Sequence, residues 1–162
     1  MRLKRRQTSA AVTLYPGVYL IHLIDERYYG IGTADFSTQN FGVLFTNQAW
    51  WAVNVPSLII LTVTAALVAR RVWPRWLAVA LATHLAFHGL MRVPLSAWTL
   101  TIAPGLISGL LLCVPLSVFT LVWGWSALPR SQFRNGILTG IASVQPLWHF
   151  LLLPVLPGAP AG

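Results

Sequence analysis

The sequence predicts an all-α, polytopic membrane protein: a bundle of five transmembrane helices with a cytoplasmic N-terminus. Three observations predict it. Of 162 residues, 56% are hydrophobic and only 9% charged, where a soluble domain carries about 25% charged residues. Apolar runs long enough to cross about 30 Å of hydrocarbon recur along the chain. The basic residues gather at the ends of those runs, as topology signals do. The net charge of +8 therefore forms no stripe along one face, and nucleic acid is not expected as a partner.

The spans are expected at 9–29, 46–69, 75–93, 103–126 and 135–156. The first is the least hydrophobic, because it carries His22-Leu23-Ile24-Asp25-Glu26. Residues 1–6 hold four basic groups. No clean small-residue cleavage site follows, so this start reads as a basic anchor before a retained span. The second and fourth spans carry Pro56 and Pro115, and the fifth carries Pro146, all tolerated in membrane helices as kinks. Gly105 and Gly109 form a small-xxx-small pair expected to serve as a helix-packing face. The stretch 30–45 is the one long polar connection, with Asp35 expected in solvent. Residues 1–156 make a single domain, and 157–162 a disordered tail.

Orientation follows from charge. With the N-terminus inside, Arg2, Lys4, Arg5, Arg6, Arg70, Arg71, Arg75, Arg130 and Arg134 fall on the cytoplasmic side, and only Arg27 and Arg92 outside. That bias suits an odd number of spans in a cell (inner) membrane, with the C-terminus outside. Trp50, Trp51 and Trp98 then mark the outer boundary, and Trp73, Trp76, Trp123 and Trp125 the inner one. The single cysteine, Cys113, excludes an intramolecular disulfide and a cysteine metal cluster. Among leucines and valines it reads as a core residue.

Only three acids occur in the chain, Asp25, Glu26 and Asp35, so two of them sit side by side in a span. An acid at membrane depth costs roughly 2.5 to 3.5 kcal/mol at mid-helix, which points to use. His22, Asp25 and Glu26 share a helix face by their i, i+3, i+4 spacing. His84 and His88 share a face of the third span, with Arg92 a turn further. Gln145 and His149 share a face of the fifth, and Asn54 lies in the second. At about 1.5 Å rise per residue, His22, His88 and His149 reach similar heights in the outer half, with Asp25 and Glu26 slightly above and His84 nearer the middle. One shared pocket is expected from spans one, three and five. Plainer roles stay open: a local Glu26–Arg27 pair, interhelical hydrogen bonds for Asn54, Gln145 and His84, and for Arg92 a snorkelling anchor, against the roles of a cation that neutralises the acids or binds an anionic headgroup.

These residues resemble the HXXEE-domain family of integral membrane proteins. The resemblance rests on His22-Leu23-Ile24-Asp25-Glu26 in the first span, His88 late in the third, Pro104-Gly105-Leu106 opening the fourth with Pro115 beyond, and the late His149. It runs from about residue 15 to 153. Asp25 stands where the motif has its first glutamate, and His84 where the pattern suggests asparagine. The resemblance supports the fold and the place of the site; the family has no assigned reaction.

Three chemistries fit. A mononuclear metal held by His22, Glu26, His88 and His149 would suit imidazole and carboxylate ligands, with the remaining acid as general base. Zinc is favoured over di-iron, which needs four carboxylates. Metal-free acid–base catalysis is the second, with His22, Asp25, Glu26, His88 and His149 as the catalytic groups. One of the paired acids is then expected to keep its proton, since two neighbouring acids do not ionise cheaply together. Arg92, Asn54, Gln145 and His84 would support substrate. The expected function is thus an intramembrane enzyme, a hydrolase or an isomerase or cyclase, acting among membrane lipids on a lipid or isoprenoid-like substrate. The alternative is a proton- or cation-binding transporter or an accessory membrane protein. Substrate and oligomeric state are not legible.

Overall fold

The computed structural model describes the backbone of residues 2–28, 32–42 and 46–152, and the side chains of 11–28, 32–40, 42 and 46–144. The expected tail 157–162 lies outside the described residues. Those described are helical, with no strand among them: α1 (Arg2–Tyr28), α2 (Gly32–Phe41), α3 (Asn47–Ala69), α4 (Trp76–Leu90), α5 (Arg92–Thr99), the single turn α6 (Leu106–Ser108), a π turn (Gly109–Cys113), α7 (Val114–Ala127) and α8 (Arg130–Leu152). Among the described residues, three stretches are long and apolar enough to cross a membrane: Asn47–Ala69, Trp76–Thr99 and Leu106–Ala127. The segments expected as first and fifth spans are helical, as α1 and α8, but are not among these three. Basic and acidic groups dilute the former, and Arg130, Arg134, Asn135, Gln145 and His149 the latter.

The interior mixes polar with apolar side chains, and many large apolar ones face outward. His22, Glu26, Asn54, Ser108, Ser117 and Thr120 are buried, while Ile21, Ile24, Ile59, Ile60, Phe119, Val122 and Leu138 are exposed on the helix flanks. In water so broad an apolar surface would associate; against lipid it costs nothing. The interior joins Tyr15, Tyr19 and Leu23 of α1 to Trp50 and Leu61 of α3, Ala82 and Leu85 of α4, and Cys113 of the π turn. Cys113 is thus a core residue. Central α4 packs most extensively on α8 and α7, and α1 on α3. The α4–α8 seam is close because a Cβ on Gly136 would meet Val79 Cβ at 2.6 Å, and one on Gly140 would meet the Ala80 carbonyl oxygen at 2.7 Å.

Breaks in the helices have local causes. The third span continues to Thr99 instead of ending near 93, and is interrupted only at Met91. Pro94 has no N–H for the Leu90 carbonyl and its ring crowds that carbonyl, so α4 stops at Leu90 and a new first turn, where proline is tolerated, begins at Arg92. The break places Arg92 at the head of α5, over the end of α1. Pro115 raises the same problem in the fourth span. There the preceding turn widens, with Val114 N–H donating to the Gly109 carbonyl five residues back, a relaxation frequent at functional positions.

The polar connection is more structured than expected. Residues 32–41 form α2, whose Thr33, Phe36 and Ser37 are buried. Thr33 Oγ1 donates to the Glu26 carbonyl oxygen at 3.2 Å, tying this helix to the end of α1. Asp35 lies on its exposed side.

The expected packing pair Gly105 and Gly109 divides into two roles. Gly109 does pack against a helix: a Cβ there would stand 3.0 Å from Gly89 Cα of α4. Gly105 has φ +79° and lies in the turn before α6, against His22 and Glu26. The Pro104-Gly105 step makes a turn, so the helix opens only at Leu106.

Candidate functional site

Glu26 is the centre of the site. It is buried at 1% exposure, and three nitrogens converge on its Oε1: Arg92 Nη2 in a short ion pair, His88 Nε2 at 3.2 Å and His22 Nε2 at 3.3 Å. Each comes from a different local cause. His22 is one turn before Glu26 on α1, His88 is on the last turn of α4, and Arg92 is delivered by the Pro94 break. The His22 and His88 rings meet edge to face at 5.0 Å between centroids.

Asp25 points elsewhere. Its Oδ2 accepts from Ser108 Oγ at 2.6 Å and from the Ser108 backbone N–H at 3.0 Å. The two adjacent acids, which the sequence pairs, therefore face different partners, and each has donors of its own. Ser108 Oγ also lies 2.8 Å from His22 Nδ1. A serine has one hydrogen, and the short contact gives it to Asp25. His22 Nδ1–H must then donate to Ser108 Oγ. This chain, Asp25–Ser108–His22, assigns the His22 tautomer and leaves Nε2 bare on the Glu26 side. Neither His22 Nε2 nor His88 Nε2 has a hydrogen-bond partner among the described residues, although both are buried. They flank Oε1 without aiming an N–H at it.

The remaining candidates form a periphery. The His84 ring stacks on His88 at 6.2 Å with an interplanar angle of 7°, and its Nδ1 lies 2.9 Å from Ser143 Oγ on α8. Ser143 donates to the Gly140 carbonyl, so His84 is the donor in that pair. Asn54 does not reach Glu26. It donates to the Trp50 carbonyl at 2.9 Å and accepts from Tyr19 O–H at 3.1 Å, and the Tyr19 ring lies 6.0 Å from that of His88. Asn54 thus supports the site through one aromatic ring. Arg27 makes no pair with Glu26; its guanidinium lies over the Tyr28 ring at 5.3 Å. Of the roles open to Arg92, the structure shows that of a cation paired with the buried acid, since its Nη2 meets Glu26 Oε1. Gln145 and His149 lie on α8, but their side chains fall outside the described residues.

Ser108 is the site residue that the sequence does not single out. One signal for it exists: Pro104-Gly105 forces a turn, which puts Ser108 in the first turn of the new helix at the level of Glu26. Chemically the assembly is a buried carboxylate fixed by a guanidinium, two imidazole nitrogens without hydrogen bonds beside it, and a second carboxylate that orients one imidazole through a hydroxyl. No family model, curated protein or solved structure matches the chain.

Proposed function

We propose that this chain is an intramembrane enzyme that acts on a lipid or isoprenoid-like substrate by acid–base chemistry at the His22–Glu26–His88 centre. One observation carries the reading: two buried, unpartnered imidazole nitrogens flank a buried carboxylate within helices whose outer faces are apolar. Burying such groups without hydrogen bonds costs stability, and a site that receives a proton or a ligand has use for them. His22 and His88 take or deliver the proton, and Glu26 stabilises the imidazolium so formed, as a carboxylate beside a catalytic histidine does. Arg92 holds Glu26 in place, and Asp25 acts through Ser108 on His22.

The same reading places α1 and α8 across the membrane with the three apolar spans. Their 27 and 23 residues extend about 40 and 35 Å. Charge asymmetry supports a cytoplasmic N-terminus and an outer C-terminus in the inner membrane, and the order of motifs supports a place among HXXEE-domain proteins. Reporter enzymes fused to either end test the topology. The N-terminal fusion reports cytoplasm and the C-terminal fusion the outside; both on one side would rule out five spans.

The function test uses protein reconstituted in lipid nanodiscs and offered the lipid extract of its host membrane, with mass spectrometry of what is consumed and formed. The wild type converts a lipophilic component, and His22→Ala or His88→Ala slows conversion by about 100-fold or more. Equal conversion by these variants would overturn the assignment. So would a proton or cation flux across vesicles that depends on Glu26 and yields no product.

A further inference from the structure

We infer that the same three side chains form a mononuclear binding site for a divalent transition metal of the zinc type. His22 Nε2, His88 Nε2 and Glu26 Oε1 are the ligands, and Asp25–Ser108 is the outer support. The inference rests on the enzymatic reading's premise that this cluster is the working site, and it changes the part the imidazoles play: with a metal bound, both Nε2 lone pairs would serve as ligands, and the proton would be handled at the open position instead of on the two rings. Each of the three residues offers a ligand atom within 4.8 Å of the others. The spacing is more telling than the composition. Two ligands bound tetrahedrally to zinc at about 2.0–2.1 Å stand roughly 3.3 Å apart. Both imidazole nitrogens lie at that separation from Oε1, 3.3 Å and 3.2 Å, and neither makes a hydrogen bond to it. The two separations are those between ligand atoms on one tetrahedral ion.

The support around His22 points the same way. A histidine that binds metal through one nitrogen ordinarily donates its other N–H to a carboxylate, carbonyl or water, which fixes tautomer and ring orientation. Here Nδ1–H is committed to Ser108 Oγ at 2.8 Å, and Ser108 is committed to Asp25 at 2.6 Å. Asp25 is therefore a positioning residue. Two histidines and one carboxylate leave a fourth position for water or substrate, the ligand count of a catalytic zinc site. Hard, all-oxygen cations such as Mg²⁺ or Ca²⁺ are disfavoured by two imidazoles.

Arg92 gives the proposal a signed test. Its guanidinium occupies the same Oε1, so it and a metal cation compete for one oxygen. Removing it should strengthen metal binding, whereas removing the outer support should weaken it. Detergent-purified protein is stripped with chelator and titrated with Zn²⁺, followed by thermal unfolding, and with Co²⁺, followed by visible absorption. The expected result is one equivalent bound with a four-coordinate Co²⁺ spectrum. Affinity should rise by about tenfold or more in Arg92→Gln and fall by about 10- to 100-fold in Ser108→Ala. Binding should be lost in His22→Ala/His88→Ala. No saturable binding in either the wild type or Arg92→Gln would overturn the proposal, as would binding that survives loss of both histidines. Lipid conversion by the stripped protein at the native rate would also overturn it, while leaving the acid–base reading standing.

Discussion

Replacing Glu26 by glutamine should destabilise the protein by about 3 to 5 kcal/mol, the loss expected when one partner of a buried ion pair is removed and the other charge is left uncompensated. Glutamine keeps the shape of the side chain, so the effect isolates charge from packing. Glu26 is 1% exposed and Arg92 nearly as enclosed, with 12% side-chain exposure. Arg92 Nε also has no hydrogen-bond partner among the described residues, so the guanidinium has little besides Glu26 to neutralise it. Thermal unfolding in detergent reads the loss. Adding Arg92→Met removes the orphaned charge, and the double variant should regain most of the stability. Conversion of substrate, in contrast, should be lost in both, because Glu26 is absent from both. This non-additivity is the signature of a coupled pair. A double variant no more stable than Glu26→Gln would mean that the two charges are not energetically linked.

How much of the fold and site is legible in the sequence depends on the kind of signal. Helical periodicity and depth are additive along a chain, so the meeting of His22, Glu26 and His88 follows from counting residues from the ends of apolar runs. The same count places Arg92 near them and allows it to neutralise the acids, but does not choose between that role and an anchor or headgroup site, because its delivery to Glu26 depends on the break at Met91 enforced by Pro94. Asp25 escapes the count for a similar reason. Two acids adjacent in sequence look like one cluster, yet successive helical residues point about 100° apart, and Ser108 meets the second face. Gly105 looks like half of a packing pair because spacing alone does not distinguish a helical glycine from one in a turn with positive φ. The connection at 30–45 looks like polar loop because α2 buries few residues, Thr33, Phe36 and Ser37 among them, and ten residues are too few for a periodicity to stand out. What the sequence hides is thus local backbone geometry, and it is that geometry which separates the groups of the site into distinct roles.

Gly105→Ala should disable the site with a modest change in fold, because the space next to Gly105 belongs to the two central side chains. A Cβ built there would lie 2.6 Å from Glu26 Cγ and 2.7 Å from His22 Cε1, well inside van der Waals contact. Both side chains have to retreat, and with them the 3.3 Å approach of His22 to Glu26 and the 2.8 Å approach of His22 to Ser108. Displacements of about 1 Å in a catalytic group cost on the order of 100-fold in rate, so conversion should fall by at least that factor. Stability should also fall, since a left-handed conformation costs an L-residue about 1–2 kcal/mol before any clash. Gly42 separates the two effects. It too has positive φ, +65°, but a Cβ added there would have nothing within 4 Å. Gly42→Ala should therefore show the backbone cost alone and retain full conversion. If Gly105→Ala matched Gly42→Ala in both thermal stability and rate, the turn before α6 would be a structural feature with no hold on His22 and Glu26. The expected divergence, similar backbone strain with unequal loss of activity, ties the chemistry of α1 to the turn that Pro104 and Gly105 impose.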